Sequence, residues 1–429
     1  MSQAPRTIRF ALRAFPPFES AVHKTWQAYC RQTGCDFELE IVPLELHALH
    51  QATLAEEGLK DGTWDLAHLN SDWMAEARAT GALADLHPYI QDNPPAAYPG
   101  GWSPSLLGMQ TFGEEVLALP FHDGPECLIY RQDLFKDPAR QAAYHQQYGV
   151  DLVPPATWED FQRVARFFTQ PEQNLYGAVF AAYPDGHNAV FDFCLQLWSR
   201  GGELTDAAGN VNIDTPAARQ GLAYYRQLLR DTGAVHPGSA TFDSVQAGMA
   251  FARGEVAMMV NWFGFASYCE VTADCQAKGK VAIAPIPQGP GGRAVSLNVY
   301  WLYGIGAGSA HRELLYDFLR FAVSQQQDKL LTLEGGIGCR LSTWHDPEVN
   351  ALIPYYHQLE DLHRHARELP RRTDWAAIAA HIDQVVLRAL TTEEPVAELL
   401  QTGQQAIARL THGTTAARKP AAVEYGLPG

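Results

Sequence analysis

The stretch WDLAHLNSDWMAEARATGALADL, residues 64–86, decides how the chain is read. It begins with the apolar density of a buried strand and ends as an amphipathic helix closed by Gly81. Between the two lies Asn70-Ser71-Asp72, a polar knot where a chain leaving a sheet turns into a helix. The knot has two readings. Asp72 can accept from the free N–H groups of a first helical turn. It can also stand at a binding site, because open α/β sheets bind ligands beyond the carboxyl ends of their strands. The two roles are compatible.

Working outward, TIRFALRAF (7–15) is a β-rich run, and apolar residues at helical spacing follow from Phe18 to Thr33, stopped by Gly34. DFELEIVPL (36–44) alternates with period two, and a helix is predicted over about 46–58. Strand–helix–strand–helix order implies right-handed βαβ units and a mainly parallel sheet. RAFPPFES (13–20) is then a second loop at a strand's carboxyl end. Beyond it, EEVLALPFHDGPECLIYRQDLF (114–135) reads as two strands broken by a Gly-Pro link. Helices are predicted over 154–169, 187–201, 215–232 and 243–253, and strands over 175–183, 256–262, 280–288 and 297–306. The remainder reads as helices over 310–333, 346–367, 373–391 and 395–411, before an aperiodic tail.

A length of 429 residues exceeds one ordinary core and suggests two lobes. The net charge of −16 repels phosphate backbones and anionic lipid, which disfavours nucleic-acid and membrane-surface partners. No apolar run approaches the roughly 20 residues of a membrane span. The opening MSQAPRTIRFALRAF lacks the n-region, h-region and cleavage site of a signal peptide. Either the chain is cytoplasmic or a signal segment was removed. Of seven cysteines, Cys30/Cys35 and Cys269/Cys275 are locally close, and each pair could bridge a helix end to the following segment in an oxidising compartment. Cys127, Cys194 and Cys339 read as core fillers, and no Cys/His set has zinc spacing, so neither metal nor cofactor is expected.

Four motifs in order resemble the family 1 extracellular solute-binding proteins, the maltose-binding-protein-like sugar-binding subunits of ABC importers. WDLAHLNSDWMAEARATGALADLHPYI resembles the family's strand–Asp–helix segment, and LPFHDGPECLIYRQDLF its first crossing strand. VPPATWEDFQRVARFFT resembles its Pro-Pro-x-Thr-Trp helix start, where Thr157 can cap the first turn. FARGEVAMMVNW, VAIAPIP and YGIGAGSAHRELLYDFLRF complete the set, from about 7 to 411. The resemblance implies an α/β, two-lobe periplasmic-binding-protein fold of type II-like organisation, with three hinge crossings near 120–125, 278–283 and 327–334. The first lobe would comprise 1–122 and 281–329, and the second 123–280 and 330–411, with 412–429 as a C-terminal tail. It further implies a carbohydrate or polyol ligand in the interlobe cleft, hinge closure, ABC permease subunits as partners, a monomer, and a periplasmic or extracytoplasmic location.

A sugar offers hydroxyls to polar side chains and C–H faces to aromatic plates. Asp72 falls on the family's acidic position, with Asn70 and Ser71 beside it. Asp123 could face the cleft or merely make the turn before Gly124. His122 reads as a hinge-packing residue. Trp262 is the favoured plate, with Phe263 and Phe265 as alternatives and Asn261 adjacent. Period two puts Tyr300 and Trp301 on opposite faces, so at most one of them lines the cleft. Arg340 is the favoured basic contact, and Arg13, Phe15 and Trp375 complete the candidates. Asn188 and Trp198 flank a helix of the second lobe, with Trp198 either core or plate.

An enzyme is the competing class. No GxSxG, HExxH, P-loop or dinucleotide fingerprint occurs. The histidines of HALH (47–50) and HRHARE (363–368) read as solvated helix faces. Asp72 with Asp123 could form a carboxylate pair for glycoside hydrolysis at a suitable separation. A sensory binding protein on the same fold would differ only in its partner.

Overall fold

The computed structural model describes residues 6–413. Two sheets organise it. The first has five strands: β1 (Thr7–Arg13), β2 (Glu38–Leu44), β3 (Leu66–Asn70), β4 (Leu119–His122) and, from late in the chain, β9 (Trp301–Ile305), in the order β2-β1-β3-β9-β4. The second has four: β5 (Glu126–Arg131), β6 (Tyr176–Val179), β7 (Val256–Trp262) and β8 (Val281–Ala284), in the order β8-β5-β7-β6. This is the two-lobe α/β architecture.

β1 pairs in parallel with β2 from Thr7↔Glu38 to Arg13↔Leu44, and with β3 through Phe10↔Leu66. All five residues of β3 are buried, as expected of a strand covered by helices on both faces. β9 enters antiparallel, with Trp301 opposite both Asn70 and His122. Arg13, Asn70, His122 and Trp301 therefore stand on one edge of the sheet. In the second lobe β6 runs parallel to β7, and β5 antiparallel to it with Glu126 opposite Trp262. The Thr157 side chain caps the helix Trp158–Phe168 by accepting from Asp160 N–H, as its motif suggests.

The chain passes from the first sheet to the second between His122 and Glu126. It returns only after Ala284, because Val281–Ala284 pairs with β5 in the second sheet. The crossing expected at 278–283 is therefore displaced, and residues 281–284 belong to the second sheet. The helices Arg312–Ala322 and Gln325–Leu333 pack on Pro16–Thr33 of the first lobe, whereas Trp375–Thr391 packs on Asn188–Trp198 of the second. The single helix expected over 346–367 is broken into Pro347–Leu352, a short turn and Leu359–Arg364, with Pro354 in the gap where a helical N–H would be needed. The last helix ends at Gly413, and the tail beyond it lies outside the described residues. Among the described residues no helix is long and apolar enough to cross a membrane.

Candidate ligand-binding cleft

A cleft of about 150 Å³ opens between the two sheets. The first lobe supplies Arg13 at the end of β1 and Phe15 just after it, Asn70 at the end of β3, His122 and Asp123 at the end of β4, and Trp301 at the start of β9. The second supplies His187, Asn188 and Phe191 from the start of one helix, Ser244 and Val245 from another, and Trp262, Gly264 and Phe265 where β7 turns into the helix Phe263–Val271. Trp262 packs against the cores of both lobes, and its ring meets Phe191 edge-on at 5.7 Å.

Of the residues expected at the site, Arg13, Phe15, Asn70, Asp123, Trp262 and Trp301 are brought together here. Of the 300–301 pair, one residue faces the cleft and the other is buried behind it, as alternation allows. Trp301 lines the cleft. Tyr300 is fully buried on the other face, donating to Gln110 Oε1 at 2.7 Å and accepting from Met109 N–H at 3.3 Å.

Five other expected residues stand behind the wall. Ser71 Oγ accepts from Tyr300 N–H at 3.1 Å and so fastens β3's end to β9. Asn261 donates from Nδ2 to Ser244 O at 3.0 Å and accepts Trp262 N–H on Oδ1 at 2.8 Å, positioning two lining residues without lining the cleft itself. Arg340 is buried elsewhere, donating to Val323 O and Ala96 O at 2.8 and 2.7 Å with its guanidinium 4.2 Å from the Trp102 ring centre. Trp375 lies in the second lobe's core, as does Trp198. Asp72 caps nothing: the turn Ser71–Trp73 and the helix Met74–Thr80 have no side-chain cap. Its carboxylate instead meets His187 Nε2 of the other lobe at 3.4 Å. This is a charge contact and not an aligned hydrogen bond, since His187 Nε2 has no hydrogen-bond partner.

Burial by itself would lower the His187 imidazole, but Asp72 and then Asp185 outweigh it and raise the group to about 9. His187 is therefore charged at neutral pH. Asp185 also fixes the turn, with Oδ1 accepting from the N–H groups of His187 and Asn188 at 2.9 and 2.8 Å. Sequence reasoning missed His187, although PDGHN after β6 has the same strand-to-helix polar grammar as LNSDW after β3.

Asp123 sits where two interlobe passages touch. Its N–H donates to Ile337 O at 3.1 Å, and Ile337 N–H donates to His122 Nδ1 at 2.9 Å. Burial lowers His122 to about 4 despite the adjacent Asp123 charge, so Nδ1 is free to accept. Gly124 at φ 131° makes the turn, and Gly335 at φ 103° makes the neighbouring one. Asp123 Oδ2 is 2.6 Å from His363 Nε2, and His363 Nδ1 is 2.8 Å from Ser105 Oγ. His363 is thus buried under the cleft with Trp344 stacked on it at 4.8 Å, which corrects its reading as part of a solvated face. Asp123 Oδ1 and Asn70 Oδ1 are buried acceptors with no donor.

The sequence profile of the bacterial extracellular solute-binding proteins matches residues 23–329. The chain belongs to that family. A Deinococcus radiodurans protein described as a probable ABC transporter-binding protein is 22% identical over 413 residues, covering 94% of this chain and 93% of its own. Maltose-bound MalE3 of T. maritima superposes with a TM-score of 0.82 at 24% identity, over 94% of this chain and 99% of its own. A solute-binding protein of an ABC transporter from Agrobacterium radiobacter K84, in complex with ribitol, gives 0.82 at 22%, over 95% and 100%. At these identities the structural matches establish the fold.

Proposed function

We propose that this solute-binding protein captures a neutral monosaccharide or short polyol in the cleft and presents it to an ABC permease. The observation that carries the reading is the pair of donorless oxygens, Asn70 Oδ1 and Asp123 Oδ1, on residues that line a cleft walled by Trp262 and Trp301. A buried acceptor left unpaired costs about 1–3 kcal/mol, which ligand hydroxyls would recover. The aromatic faces would take the C–H surface. A cleft of about 150 Å³ suits one ring or a short chain, since a cavity of about that volume holds benzene. The ribitol held by one structural relative fits this ligand class, and the maltose held by the other is a neutral sugar one ring larger. An acidic sugar is less well served: Arg340 is elsewhere, Arg13 is 2.7 Å from Glu45, and the charged His187 is already matched by Asp72 at 3.4 Å.

Closure is the energetic work. A ligand touching both lobes shifts the open–closed equilibrium by its differential affinity. The hinge would run through Asp123–Gly124, the segment after Ala284, and Gly335–Ile337. The family's extracellular character favours an extracytoplasmic location, and the protein would act as a monomer, which light scattering would check. The carboxyl and not the hydroxyl end of Ser105–His363–Asp123 meets the cleft, an arrangement suited to binding and not to nucleophilic attack.

A thermal-shift screen of polyols, monosaccharides and sugar acids, followed by calorimetry on Asp123→Asn, tests the reading. Neutral ligands should raise Tm, and Asp123→Asn should weaken binding about tenfold to a hundredfold. A shift with sugar acids alone, or turnover of a glycoside, would sink it.

A further inference from the structure

All seven cysteines are thiols in this structure. Cys127, Cys194 and Cys339 are fully buried, and burial pushes each thiol up. The other four form two local pairs. The helix Phe263–Val271 ends with Thr272 N–H on Tyr268 O, and the chain turns back so that Gln276 N–H and Cys275 Sγ both meet Ala252 O, at 3.0 and 3.4 Å. Cys275 is thereby pinned six residues past Cys269, close enough for the two thiols to perturb each other's titration. The second pair follows from a different feature. Gly34, at φ 75° with its N–H on Cys30 O at 2.9 Å, is a left-handed cap to the helix Pro16–Thr33. Such a cap folds the next residue over the last helical turn, which sets Cys35 against Cys30. Burial, together with the proximity of the Cys35 thiol, pushes Cys30 up to about 11.

We propose that Cys269–Cys275 and Cys30–Cys35 close as disulfides, an inference that rests on the extracytoplasmic reading for its oxidising environment. The oxidant is a disulfide donor of the glutathione or thiol-oxidoreductase class. The neighbouring Cys269 thiol lowers Cys275, which makes it the readier of the two to form a thiolate. That half-buried thiolate attacks the donor's S–S bond, forming a mixed disulfide and releasing one donor thiolate. Cys269 loses its proton to solvent and attacks Cys275 Sγ, and the second donor thiolate leaves. The protein loses two electrons and two protons, and the donor gains them. Loops this short restrict the unfolded chain little, so the bridges act as local clamps more than global staples. Cys269–Cys275 would hold the far end of the helix whose first turn carries Gly264 and Phe265 into the cleft.

The test uses the full chain, reduced, desalted, exposed to oxidised glutathione, denatured and alkylated without reductant. Three cysteines should be labelled, with peptide masses linking 269 to 275 and 30 to 35. Cys275→Ser should leave Cys269 labelled and the 30–35 link intact. Seven labelled thiols, or glutathione retained on Cys275, would overturn the proposal. Oxidation in this assay but seven free thiols in protein taken directly from cells would instead count against the extracytoplasmic reading, leaving the pairing supported.

Discussion

Removing the Asp72 carboxylate should abolish a pH-dependent latch between the lobes. His187 is raised from 6.5 to about 9, and its surroundings name the cause: Asp72 at 3.4 Å and the Asp185 charge act against burial. At about 1.4 kcal/mol per pH unit the rise corresponds to about 3 kcal/mol of preference for the charged, paired form. The His187 side chain keeps 15% exposure, so solvent screens some of this, and about 2–3 kcal/mol is expected. Because the folded-state value is the raised one, this stabilisation is complete below about pH 6.5 and is lost as pH rises through about 9. The contact joins the two lobes, so the energy acts on closure as well as on folding. Urea unfolding of wild type and Asp72→Asn at pH 6 and above pH 9 measures it, since their difference cancels other groups, such as Cys275, that titrate in both. The stability gap should shrink by about 2–3 kcal/mol at the higher pH. Small-angle scattering should show the wild type opening there and Asp72→Asn open at both. A gap independent of pH, or a His187 ring titrating at or below 6.5 by NMR in the wild type, would refute the reasoning.

Trp262→Ala should weaken ligand binding about tenfold in calorimetry, as expected for losing an aromatic plate worth about 0.5–1.5 kcal/mol beyond its area. Tyr300→Phe should cost about 1–2 kcal/mol in urea unfolding, because Gln110 Oε1 loses its donor, and should leave ligand affinity unchanged. Arg340→Ala should cost about 3 kcal/mol by stripping the donor from two carbonyls, again with unchanged affinity; a binding defect in that folded variant would restore Arg340 to the site.

The part of the site that could be read from sequence is the part that topology dictates. Arg13 and Asn70 end β1 and β3, Asp123 follows β4, and Trp262 closes β7 of the other sheet, so all four stand at strand ends that face the cleft. Strand existence was legible from period and apolar density, but sheet membership was not. The pattern of Val281–Ala284 is the same whichever sheet it joins, and only its pairing with β5 moves the crossing past Ala284. Tyr300 and Trp301 show a finer limit: alternation says that at most one of them faces the cleft, and only the packing of Tyr300 on Gln110 shows which. Arg340 is favoured for its bidentate chemistry and Trp375 for its motif position, and neither constrains the direction of a long side chain. His187 and His363 mark the remaining gap. His363 meets Asp123 across 240 residues of sequence, and no local pattern encodes such a partner. His187 is different, because the loop after β6 repeats the polar grammar of the loop after β3. In a two-lobe fold every strand-to-helix loop on one sheet's rim can face another across the cleft, so the knot at Asn70–Asp72 should have been read together with PDGHN. Asp72 then ceases to be a choice between helix cap and ligand contact, and becomes half of an interlobe ion pair whose strength depends on the charge of His187.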